Sequence, residues 1–129
     1  MKARETVMRL KRREVDEKAR KVEDLERTIR EFDNMVLDLE RQIQLEEDRT
    51  GIRDRNNVSY STFAKAAAQR RDNLRTSTDG LRDQLAAAVR ERDDMIENLA
   101  RATAQAESRE EQRVLGRRRP DRTLSIAHR

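Results

Sequence analysis

The pattern of apolar and polar positions repeats every seven residues in the first half of the chain. One seam is apolar at every repeat, at Met8, Val15, Val22, Ile29, Val36 and Ile43. A companion seam is apolar at its centre, at Leu25, Phe32 and Leu39, and polar at Lys11, Lys18 and Glu46. Paired seams at this spacing are typical of a coiled coil, in which they face a partner helix. The pattern predicts a helix from about residue 3 to about residue 49.

A polar stretch, residues 50–60, interrupts the periodicity. It contains Gly51 and the pair Asn56–Asn57, which are residue types that favour turns. Ser59 and Ser61 follow, and either hydroxyl can cap the start of a second helix. We therefore expect a turn at 50–60 and a second helix from about 61 to about 115.

The second periodic segment is poorer in large apolar residues. Its seams hold Leu74, Leu81, Leu85, Met95 and Leu99, with alanines between them and arginines at 71 and 92. Gly80 interrupts the segment without changing its phase, so we expect one continuous helix. Gly116 is a helix-ending residue type and Pro120 follows it, so residues 116–129 are predicted to form a disordered basic tail.

The two segments match each other in one antiparallel register. When Val36 is set opposite Leu74, the residue numbers of facing positions sum to 110. In this register the middle parts of both seams face apolar residues of the other helix. The sequence thus predicts an all-α fold: a long antiparallel two-helix coiled-coil hairpin over residues 1–115, with a flexible basic C-terminal tail. We expect a monomer. The competing arrangement is an extended parallel dimer through the first helix.

Composition argues against an enzyme. Charged residues make up 43% of the chain and aromatic residues 2%, which leaves too little large apolar side chain to enclose a substrate pocket. No cysteine is present, and the single histidine, His128, has no second ligand type near it in the sequence. We expect no catalytic residues, no cofactor and no metal. No apolar run approaches the roughly 18 residues of a membrane span, so we expect no membrane insertion.

Positive charge is concentrated near the two chain ends. Residues 1–22 carry nine Lys and Arg against four Asp and Glu, and residues 109–129 carry seven Arg against three acids. A hairpin brings these ends together, which favours docking on an acidic protein surface. The candidate docking residues are Arg9, Lys11, Arg12 and Arg13. The basic run is interrupted by acids from Glu14 onward and lacks the pattern of DNA-reading zippers, so we expect no nucleic-acid binding.

The segment 60–71 differs from its surroundings, because it holds two of the three aromatic residues and a group of alanines. In one interpretation Tyr60 and Phe63 close the hairpin core over Ile43, Ile52 and Val58. In the other, the segment forms a partner contact at the turn end of the hairpin. The candidate contact residues are Tyr60, Phe63, Lys65 and Arg70.

Two segments carry a resemblance to a known family. Residues 2–12, KARETVMRLKR, and residues 60–71, YSTFAKAAAQRR, resemble the FliJ family of flagellar export coiled-coil proteins in its α-proteobacterial form. The likeness covers roughly residues 1–110 and is most specific in 60–71. It implies a component of the flagellar type III protein export apparatus, in the cytoplasm and peripherally associated with the inner face of the cell membrane at the flagellar base.

The resemblance also implies the partners: the hexameric export ATPase, the export-gate membrane protein and export chaperones. It does not assign contact residues, so the candidates above come from charge and composition. The alternative function is a general structural coiled coil, a scaffold or adaptor that pairs with a partner helix.

Overall fold

Two long helices form the whole of the described fold. The computed structural model describes residues 2–127, with side-chain surroundings up to residue 117. Helix α1 spans Lys2–Thr50 and α2 spans Thr62–Ala127, with no β-strand within residues 2–127. The helices pack against each other, so the predicted all-α antiparallel hairpin is confirmed. Three of its four helix ends lie within one residue of the predicted positions.

Backbone geometry ends α1 at Gly51. This glycine has a φ of 73°, a left-handed conformation in which a side chain is strained. Its N–H donates to the Glu47 carbonyl at 2.8 Å, which satisfies a terminal carbonyl of the helix. The chain then turns through residues 51–61, with hydrogen bonds from Asn57 N–H to the Asp54 carbonyl and from Tyr60 N–H to the Asn57 carbonyl.

Ser61 caps the second helix. Its hydroxyl oxygen accepts a hydrogen bond from the Ala64 N–H at 3.2 Å, as an N-cap side chain does. Of the two serines that the sequence offered, Ser61 is therefore the cap. The backbone of Ser59 instead donates to the side chain of Asn57.

Helix α2 continues further than the sequence predicts. It passes Gly80 without a break, as expected, and also continues through Gly116 and Pro120 to Ala127. Gly51 is the only residue with positive φ in the described chain, so Gly116 does not adopt the conformation that ends a helix. Residues 116–127, which the sequence analysis assigned to the tail, are thus helical in the described structure, and His128 and Arg129 lie outside the described residues.

The chain divides into two compact units. The terminal unit comprises Met1–Lys18 and Glu91–Arg129, and the connector unit comprises Ala19–Arg90. A contiguous core in the connector unit consists of Leu39, Ile43, Tyr60, Ala64, Ala67 and Ala68, with Ile52 and Leu74 packed against it. The alanines among them let the helices approach closely where the chain turns.

The predicted seams are the inward faces of the helices. Five seam residues of α1 are buried: Val22, Ile29, Val36, Leu39 and Ile43. The other predicted seam residues are partly buried: Val15, Leu25, Phe32, Leu74, Leu81, Leu85, Met95 and Leu99. The coiled-coil periodicity therefore identified the core-facing side of both helices.

Contacts within each unit agree with the predicted register. In the terminal unit the Lys18 ammonium contacts the Glu91 carboxylate at 2.9 Å, and the register places Lys18 opposite the adjacent residue, Arg92. In the connector unit, Met35 and Ser77 line one groove together with Gln42 and Arg70. The residue numbers of Met35 and Ser77 sum to 112, as do those of Gln42 and Arg70. Positions directly beside the seams should give this sum when the residue numbers of seam partners sum to 110.

Candidate functional site

Tyr60 lies in the hairpin core. Its side chain is only 8% exposed and packs in the cluster with Leu39 and Ile43. Its hydroxyl donates to the Glu47 carboxylate at 3.1 Å. Burial, and then this hydrogen bond, raise the pKa of the phenol. Tyr60 fastens the turn to α1 and has little surface to offer a partner, contrary to its selection as a contact residue.

Phe63 lies outside the core. It is 58% exposed, and Lys65 and Arg70 are exposed on the same helix. Ser61 fixes the start of α2, and from that start the helical phase turns Ala64, Ala67 and Ala68 inward and leaves Ala66 exposed. The core-closing interpretation is therefore correct for Tyr60 and wrong for Phe63. It is also wrong for Val58, which is fully exposed.

The connector unit also has an open groove, and Arg70 is one of its lining residues. The groove has a volume of about 480 Å³ and an apolar floor that includes Leu39 and Leu74. Met35, half-exposed, stands at its edge. Asp38 and Arg70 give the rim one charge of each sign. The sequence selected Arg70 for its charge but gave no sign of this groove, which depends on how the helices stand side by side.

Two grooves flank the helix pair in the terminal unit, and they differ in charge. The first, about 480 Å³, places Arg4, Arg9 and Arg12 among three carboxylates. The acids are Glu5, Glu107 and Glu110. We call it the mixed groove. The positive charge of two of the four candidate docking residues is thus partly compensated by neighbours that the sequence does not reveal.

The second groove of the terminal unit, the basic groove, shares Arg4, Met8 and Ala106 with the mixed groove and takes its other neighbours from both helices. It has a volume of about 370 Å³, and Lys11 lines it together with Arg4 and Arg109. The fourth candidate, Arg13, is exposed and lines neither groove. The basic run of the sequence is therefore divided between two surfaces of unlike character.

Net charge is carried by one unit alone. The terminal unit contains 16 Lys and Arg against 12 Asp and Glu, which is the whole net charge of +4 of the chain. The connector unit contains 14 of each sign and is neutral. Long-range attraction of an acidic partner therefore acts on the terminal unit.

Among residues 2–127, no helix is apolar over a length that would cross a membrane. The same residues contain no cluster of three His, Cys, Asp or Glu side chains that would hold a metal ion. Comparison of the chain with protein-family models, with curated proteins and with solved structures finds no match.

Proposed function

We propose that the chain is a FliJ-type coiled-coil component of the flagellar type III protein export apparatus. In this function it links the hexameric export ATPase to the export gate and assists export chaperones, in the cytoplasm at the inner face of the membrane at the flagellar base. The proposal rests on the resemblance of residues 2–12 and 60–71, because a helical hairpin by itself serves many unrelated functions.

The structural observation that supports the proposal is the difference between the two units. The terminal unit carries all of the net positive charge, whereas the neutral connector unit exposes the aromatic ring of Phe63. A protein that connects two partners needs two surfaces of different chemistry. Electrostatic docking suits the first surface and apolar packing suits the second.

The ATPase arm of the proposal is tested by charge reversal. Arg9→Glu, Arg12→Glu and Arg13→Glu together should weaken binding to a purified hexameric export ATPase, mainly by slowing association. The remaining affinity should depend little on salt between about 50 and 300 mM, since exposed charges are screened over roughly 10 Å. The matched control reverses Arg20, Lys21 and Arg30, which are exposed in the connector unit, and should bind like the wild type.

The proposed binding to the export gate is tested by removal of the Phe63 ring. Phe63→Ala should weaken binding to the cytoplasmic domain of the export-gate protein, with little effect of salt, and should leave ATPase binding unchanged. Leu45→Ala is the matched control, because Leu45 is 69% exposed on the same unit. If the charge-reversed protein lost gate binding and Phe63→Ala lost ATPase binding, the two ends would be assigned in the wrong order.

The alternative function, a scaffold that pairs with a partner helix, is favoured by the open apolar-floored grooves on both units. Binding measurements on the wild-type protein discriminate between the export function and the scaffold function. If the protein bound neither the ATPase nor the gate domain at micromolar concentration, the export function would be wrong and the scaffold would remain.

A further inference from the structure

We infer that the basic groove of the terminal unit binds an acidic amphipathic helix of a partner protein. This site is independent of the export function. It follows from the shape, the apolar floor and the uncompensated charge of the groove.

The floor of the basic groove is apolar and accessible. Met8 and Ala106 form its base, and Val7 stands at its side with 49% of its surface exposed. The trough runs between two helices, which is a shape that a third helix fills with one stripe of side chains. Covering these side chains removes apolar area from water at roughly 25 cal/mol per Å².

The rim of the groove carries one sign of charge. Arg4, Lys11 and Arg109 line it, and no carboxylate does among its described lining residues. None of these three cations takes part in the ion pairs found between described side chains. The mixed groove, by contrast, has three acids among its lining residues; Arg4 lines both grooves, whereas Lys11 and Arg109 line only the basic groove. The basic groove therefore lacks the negative charge that a partner would bring.

The apolar floor and the positively charged rim together determine which kind of partner fits the groove. A nucleic-acid backbone would satisfy the cations but would leave the apolar floor uncovered. A basic amphipathic helix would cover the floor but would be repelled by the rim. A helix with an aliphatic stripe flanked by Asp or Glu satisfies both, because its carboxylates reach the three cations while its stripe covers Met8.

The probe for the test is a synthetic helical peptide of about 18 residues, roughly five turns, with one leucine stripe flanked by glutamates. Binding is followed by NMR of methionine methyl groups. Met8 lines both grooves of the terminal unit, Met35 lines the connector-unit groove and Met95 belongs to the seam. A Met8 shift therefore places the peptide on the terminal unit, and the charge-reversal variants decide between its two grooves. The Met8 methyl signal should shift on titration, and those of Met35 and Met95 should not.

Two control peptides separate the two forces. The same peptide with lysine in place of glutamate should bind at least about tenfold more weakly, a change of roughly 1.4 kcal/mol. The peptide with serine in place of leucine should lose affinity to a similar degree. If the lysine peptide bound as tightly as the glutamate peptide, the charge argument would be wrong.

Two protein variants locate the site. Arg4→Glu, Lys11→Glu and Arg109→Glu together should weaken binding of the acidic peptide at least about tenfold, whereas Arg9→Glu, Arg12→Glu and Arg13→Glu should weaken it less than about threefold. Both variants change the charge of the terminal unit equally. If the first variant lost helical content, Arg4→Gln with Arg109→Gln, both at exposed positions, would replace it.

Three outcomes would overturn the inference: an equal loss in both variants, a shift of Met35 in place of Met8, or a groove already filled by a second copy of the chain. Sedimentation of the free protein detects the last of these as a mass that rises with concentration. Charge reversal of Arg4, Lys11 and Arg109 would then abolish the rise in mass with concentration.

Discussion

The hydroxyl of Ser61 joins the start of α2 to the end of α1. It accepts a hydrogen bond from the Ala64 N–H and donates one to the Glu46 carboxylate at 2.9 Å. Glu46 is also held by Arg49, one turn further along α1. One small side chain therefore both caps a helix and fixes the closure of the hairpin.

Removal of this hydroxyl should destabilise the hairpin. Ser61→Ala deletes an N-cap, which costs about 1 kcal/mol, and also deletes the contact with Glu46. Ser59→Ala, two residues earlier in the connector, is the control and should change stability by no more than about 0.5 kcal/mol. Urea unfolding followed by circular dichroism measures both variants. Equal midpoints would show that Ser61 does not cap α2.

The contacts of Glu46 with Arg49 and Ser61 predict that the free energy of unfolding depends on pH in the acidic range. The hydrogen bonds from Arg49 and Ser61 lower the pKa of Glu46 below its ordinary value of 4.5. The folded state thus favours the carboxylate, so this contribution is present at neutral pH and is lost as pH falls below 4.5 through the lowered pKa. Wild type should exceed Glu46→Gln in unfolding free energy at pH 7, and the gap should narrow below pH 4.5. Glu26→Gln, at an exposed position of α1, should show no such narrowing.

At the scale of the elements, burial is unequal along the seams. The buried α1 residues all belong to the connector unit, whereas Met8 and Val15 of the terminal unit are only partly buried. In the terminal unit the companion seam carries Lys11 and Lys18, whose ammonium groups must reach water or a carboxylate. We therefore expect apolar burial in the connector unit to contribute most of the stability.

Alanine substitutions should show this difference. Ile29→Ala should cost about 2–5 kcal/mol, since Ile29 is 8% exposed and its removal leaves a cavity. Met8→Ala should cost less than half as much, because water already reaches that side chain. Thermal melts of the two variants provide the comparison. Equal losses would mean that the terminal unit is packed as firmly as the connector unit.

Seven-residue periodicity was sufficient to predict the helices and the core-facing seams, because burial follows directly from helical phase. It did not predict which of Tyr60 and Phe63 is buried, since that depends on the residue at which α2 begins. It also did not reveal the two grooves of the terminal unit. Their charges depend on pairs such as Arg12 and Glu110, which are far apart in sequence. The extension of α2 beyond Gly116 was missed because glycine permits a left-handed turn without requiring it.

At the scale of the whole molecule, the path of the chain is testable. Cysteines at Val36 and Leu74, both in the connector unit, should form a disulfide within one chain, because the register brings them face to face. Cysteines at Val36 and Leu81 are the control and should not, since Leu81 lies about 10 Å further along α2.

Mass spectrometry after oxidation distinguishes links within a chain from links between chains. The parallel-dimer arrangement would give only the second kind, at Val36 paired with Val36 of another molecule. Exclusive detection of such links would contradict the hairpin.

The exposed connector makes the hairpin separable into two peptides. Residues 53–59 are all exposed, and the Gly51 and Ser61 caps lie outside them. A backbone break at Asn56 would leave both caps and the Tyr60 contact in place. It would remove the tether, which for short linkers corresponds to a millimolar effective concentration, together with the hydrogen bond from Asn57 N–H to the Asp54 carbonyl. Fragments 1–56 and 57–129 should then reassemble as a heterodimer, and expression of one fragment would control how much of the other is folded.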